Sequence, residues 1–143
     1  MTATPELGIG WLIGAVHRRL RAGWSERLEP LGLNPPAVAA IRMIRRQPGC
    51  GLRELARMLE VEPINLSRTL EHLDEEGLVE RRARPEDRRT FSLNLSERGV
   101  AVAGQLDELA REFEREMVIG LGEGADEIVE RMSSWLTWLR QSE

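Results

Sequence analysis

The chain has no lysine and no tyrosine, and only one cysteine among its 143 residues. A single thiol, Cys50, excludes an internal disulfide framework and suits a reducing cytoplasm. No apolar run approaches the roughly 18 residues that a membrane helix needs, so the sequence predicts no span. The opening MTATPELGIGWLIGAVHRRL has no basic segment ahead of its apolar part and does not read as a signal peptide. No Ser/His/Asp set, glycine-rich phosphate loop or paired-carboxylate arrangement is present, which argues against an enzyme. His17 and His72 lie far apart, and no Cys/His/Asp cluster has metal-ligand spacing. The expectation is therefore no catalytic residue, no metal and no cofactor. All twenty basic residues are arginine, a bias from which no function follows.

What is present fits a soluble globular protein long enough to bury a core, with 41% hydrophobic and 31% charged residues. Its formal net charge of −4 is unevenly spread. Residues 1–34 carry four arginines against three acids, and 35–99 carry twelve against eleven. Residues 100–143 carry four against ten, so the acidity belongs to the last third. Within RRARPEDRRT, five arginines fall in the nine residues 81–89, opposed by Glu86 and Asp87. An acidic protein can own a basic edge, and the local field governs docking to a polyanion.

Helical spacing of Leu7, Trp11, Ala15 and Leu20 predicts a first helix over 6–28, which EPLGLNPP breaks. Asn34 ahead of Pro35 is a helix start, and the following helix carries Val38, Ile41, Met43 and Ile44 up to RRQPGCG. Leu52, Leu55, Ala56 and Leu59 mark a short helix over 52–59. Three residues, Glu60 to Glu62, separate it from a second helix that starts at Pro63. That helix turns Leu66, Leu70 and Leu73 inward and ends at Gly77. Two short helices with such a turn form a helix-turn-helix. LVERRA and RTFSLNLS read as two strands with the arginine-rich loop as their hairpin tip. Ser96 caps a helix over 96–119, and GLGEGAD separates it from a last helix over 126–140.

A helix-turn-helix followed by a two-stranded wing is the winged-helix arrangement: a mainly α fold with a small β wing (α+β). Its second helix enters the major groove with its N-terminal residues at base edges. Here those are Asn65, Ser67 and Arg68, led by Pro63. Arginine can bond guanine and asparagine adenine through two hydrogen bonds each. A wing tip carrying Arg84, Arg88 and Arg89 can follow the backbone or enter a narrow minor groove, with Asp87 orienting a neighbouring arginine.

From Leu33 to Gly99 the sequence resembles the MarR (multiple antibiotic resistance regulator) family of winged-helix transcription factors. The resemblance rests on LARMLEVEPINLSRTLEHLDEEGLVERR followed by PEDRRTFSLNLSERG. Asp87-Arg88-Arg89 matches the family's wing signature, and LSERG the start of its post-wing helix. Glu62 departs from the short capping residue expected before Pro63. The resemblance implies a homodimer with interleaved terminal helices, Arg89 in the minor groove and Asp87 holding the wing. Residues 1–34 and 100–143 would be dimerisation helices, and 35–99 the winged helix. Trp11, Trp24, Phe113, Trp135 and Trp138 on the terminal helices give the dimer an independent argument, since aromatics at such density mark interfaces; packing onto the chain's own core is the alternative.

The family also implies a small anionic aromatic effector bound between dimerisation helices and winged helix. Trp11, His17 and Arg18 could line that crevice, or could equally serve interface packing and a solvated face. Cys50 lies away from the family's sensor cysteines and has no second thiol to resolve a sulfenic acid. The expected function is a homodimeric, cytoplasmic DNA-binding regulator, a ligand-relieved repressor that recognises a pseudo-palindromic site in double-stranded DNA. The competing expectation is a winged-helix protein-interaction module.

Overall fold

Two prolines in a first turn set the central helix of the fold. Pro35 and Pro36 open α2 (Pro35–Arg46), where a missing N–H costs no hydrogen bond, and the Asn34 side chain accepts from the Ala37 N–H at 3.0 Å. The computed structural model describes residues 6–87 and 90–142, and the chain divides into two compact units, Met1–Glu108 and Leu109–Glu143.

In the first unit, α1 (Gly8–Leu28) leads through a short 3-10 turn, Glu29–Leu31, to α2. The predicted break at EPLGLNPP therefore contains one tight turn, closed by Gly32 in the left-handed region. The helix-turn-helix follows as α3 (Leu52–Leu59) and α4 (Pro63–Glu75). Val38, Ile41 and Ile44 of α2 meet Leu55 and Ala56 of α3 and Leu66, Leu70 and Leu73 of α4 in one buried cluster. Burying each valine, leucine or isoleucine of this set is worth about 1.5–3 kcal/mol. Trp24, one of the aromatics expected at an interface, packs partly buried against this cluster. One helical turn beyond it, Leu28 is fully buried, so this end of α1 faces the core.

Gly77 adopts positive φ beyond α4, and the Leu78 N–H returns to the Leu73 carbonyl at 2.9 Å, turning the chain into the wing. Strands β1 (Val79–Ala83) and β2 (Phe91–Leu95) pair antiparallel, with Val79 opposite Leu95 and Ala83 opposite Phe91. The loop between α2 and α3 adds to β2: Gly49 N–H donates to the Leu93 carbonyl and Leu93 N–H to the Cys50 carbonyl, both at 2.8 Å. The wing is thus tied to the start of the helix-turn-helix by backbone.

Helix α5 (Glu97–Leu121) begins at Ser96, whose hydroxyl accepts from the Gly99 N–H at 3.0 Å. Ala103 and Leu106 complete the first unit's core, and Asp107 receives Arg42 at 3.2 Å and Arg45 at 2.7 Å. In the second unit, α6 (Ala125–Gln141) follows the turn at Gly122 and Gly124. Only Ala125 of α6 is buried. No helix among the described residues is long and apolar enough to cross a membrane.

Candidate nucleic-acid interface

At 3.6 residues per turn, the inward row Leu66, Leu70 and Leu73 places Ile64 and Arg68 on the opposite, outward ridge of α4. Ile64 is 66% exposed, and Arg68 beside it is exposed as well. Ser67 sits half-buried on one flank. Asn65, exposed on the other flank, lines a crevice of about 580 Å³ with Arg21, Pro35, Ala39, Val61 and Thr69. Pro63 occupies the first turn, and Glu62 makes no side-chain cap. Further along the exposed side come Glu71, Glu75 and Glu76. These acids repel phosphate, so only the first turn and a half of α4 suits a polyanion. The helix dipole favours the same end.

The arginine cluster is less free than its sequence suggested. Arg81 donates to Asp74 at 3.1 Å and Arg82 to Glu80 at 2.9 Å. Arg84, expected at the wing tip against DNA, is turned inward: its guanidinium donates to the Gly49 carbonyl at 3.1 Å and lies against Gly51. The Arg84 N–H donates to the Thr90 carbonyl at 3.2 Å, and the Thr90 N–H to the Asp87 carbonyl at 3.2 Å. These bonds tie Thr90 to Arg84 and to Asp87. Asp87 is exposed, and Arg88 and Arg89 lie outside the described residues.

This geometry has close relatives. The MarR family model matches residues 33–91. The HTH-type transcriptional repressor Rv2887 of Mycobacterium tuberculosis is 32% identical over 111 residues, 78% of this chain and 80% of that protein. The chain belongs to the MarR family. A mutant MarR from E. coli complexed with operator DNA superposes with TM-score 0.80 at 26% identity, over 89% of this chain and 91% of that one. The repressor CouR bound to a 23-mer DNA duplex shares the fold with TM-score 0.85 at 23% identity, over 96% and 99% of the two chains.

Elsewhere in this MarR-family chain, the residues expected at an effector crevice are not gathered. Trp11, His17 and Arg18 are exposed on α1, and helical spacing puts Trp11 and Arg18 on one side with His17 well round from them. The Arg18 guanidinium folds back over Gly14. The three surface cavities described, of about 240, 270 and 580 Å³, are lined by other residues; His72 contributes to the two smaller ones. Among the described residues no group of His, Cys, Asp and Glu could hold a metal ion.

Cys50 is buried beneath the wing root. Burial raises its thiol pKa above the ordinary range and the nearby Glu54 raises it further, against smaller lowering by a backbone hydrogen bond and Arg84. A protonated, covered thiol is a poor nucleophile. Two features here go beyond the sequence pattern, the inward Arg84 and the outward Ile64. The Ile64 signal was legible, an isoleucine two places before Leu66 and so outside the apolar row; the Arg84 contact was not.

Proposed function

We propose that this MarR-family protein is a homodimeric transcriptional repressor that reads double-stranded DNA with the first turns of α4. The observation that carries the reading is the outward Ile64–Arg68 ridge at the N-terminal end of the second helix of a helix-turn-helix. Arg68 is the guanine reader in this scheme, Asn65 and Ser67 act from the flanks, and Arg88 and Arg89 supply the wing's phosphate or minor-groove contacts. The operator-bound relative supports the same partner.

The homodimer draws its support from α6. Ile128, Met132, Trp135 and Leu139 recur at helical spacing as one stripe, flanked by Trp138, which is 59% exposed. Glu130, Ser133 and Thr137 take the other side. An apolar stripe of this length, each residue of it between 37% and 46% exposed, is what a partner helix fills. Two protomers would read half-sites about one helical turn apart, giving a pseudo-palindrome. The crevice beside Asn65, with Arg21 at its edge, is the place where a small anionic aromatic ligand would press on the reading helix and relieve repression.

One observation favours the competing reading, an interaction module: Ile64 and Val61 expose apolar surface where a protein partner would want anchors. Selection of bound sequences from random duplexes, titrated at two salt concentrations, separates the two. A pseudo-palindrome bound with a steep salt slope supports the repressor. Recovery of no preferred sequence overturns it. On the selected site, Arg68→Ala should lose about 1–3 kcal/mol and relax one base preference.

A further inference from the structure

We infer that Ile64 is a base-reading residue, specific for the C5-methyl group of a thymine next to the base that Arg68 contacts. The inference rests on the DNA-binding reading above and goes beyond it to a base identity.

Among the described residues nothing accounts for an isoleucine at this position. Ile64 is 66% exposed and points away from the core row of Leu66, Leu70 and Leu73. A β-branched side chain is no aid to a helix, since it loses side-chain freedom against the preceding turn. Its neighbours on the exposed side of α4 are charged or polar, namely Arg68, Glu71 and Glu75. The one apolar group on that ridge is therefore in its first turn, four residues before Arg68. Residues four apart on a helix stand side by side. A guanidinium set on a guanine edge would carry Ile64 onto a neighbouring base step of the same groove. In the major groove the only apolar group that a base pair offers is the thymine methyl, so it is the feature an aliphatic side chain can recognise. The stiffness of isoleucine, unhelpful to the helix, then fixes the position of the contact.

The experiment starts from the duplex selected by the full-length protein. Each thymine is replaced in turn by deoxyuridine, which removes the methyl and leaves the hydrogen-bonding edge intact. Affinities are measured for wild type, Ile64→Ala and Ile64→Val. The wild type should lose roughly fourfold at one thymine of each half-site, about the worth of burying one methyl. Ile64→Ala should bind thymine and uracil alike at that position, with the losses at other positions unchanged, and Ile64→Val should fall between. Because Ile64 is exposed, the variants should melt with the wild type. A wild type indifferent to every uracil, or an Ile64→Ala variant with the same loss at the same thymine, overturns the assignment. If no specific duplex is selected at all, the DNA-binding reading fails and takes this inference with it.

Discussion

Gly99 gives the most direct test of how the wing root is built. An alanine there would set its Cβ against the Leu78 carbonyl oxygen, well inside contact distance, with the Leu78 carbonyl carbon at 3.0 Å and the Leu95 Cβ at 3.3 Å. The obstacle is backbone, and it is held: the same Leu78 carbonyl accepts from the Ser96 N–H at 3.0 Å. Neither rotamer change nor side-chain motion can make room, so α5 must lift from the wing. Overpacking of this kind costs about 1–3 kcal/mol. The lift also strains the Ser96 cap on the Gly99 N–H, worth about 1 kcal/mol. The expected loss is about 3 kcal/mol, and at roughly 4–8 °C per kcal/mol for a unit of this size the melt falls by about 12–24 °C. Gly104 on the same helix is the control, because nothing lies within 4 Å of a Cβ built there. Gly104→Ala should gain about 0.5–1 kcal/mol from helix propensity. Thermal unfolding of both variants by circular dichroism reads the difference. A Gly99→Ala protein that melts within about 3 °C of wild type would refute the close approach, at the cited few degrees per kcal/mol.

Further outcomes follow from the same geometry. Arg84→Ala should weaken operator binding through a loosened wing while leaving the salt slope unchanged, because its guanidinium is committed to the Gly49 carbonyl. Arg89→Ala should lower the slope of log affinity against log salt by about 1, and equal slopes for the two variants would reject this division of labour. Trp135→Glu, in the middle of the exposed α6 stripe, should turn a dimer into a monomer by sedimentation, with the first unit still folded. The raised Cys50 thiol has a pH consequence. Between the ordinary thiol pKa and its raised value the unfolded chain has lost the proton and the folded chain retains it, so stability falls as pH rises through that window. Cys50→Ala should remove this slope, which denaturant titrations at increasing alkaline pH would show.

By itself the sequence determined the elements and their order. The inward rows of α2, α3 and α4 are local periodicities, and the stops at Asn34, Gly77 and Ser96 are local chemistry, each acting within a few residues. The paired strands and the arginine-rich tip were legible for the same reason. Tertiary structure decided that Arg81, Arg82 and Arg84 are already engaged within the chain. Arg84 meets the Gly49 carbonyl 35 residues away, through a loop that joins β2 by backbone alone. Arg81 turns to Asp74 across the end of α4, so a count of arginines overstated the charge that the wing presents. Trp24 likewise went to the core because Leu28, one turn on, is buried there, while Trp135 and Trp138 of α6 keep part of their surface exposed. A side chain's type and spacing state what it can bind; only the packed neighbours determine whether that capacity is already used.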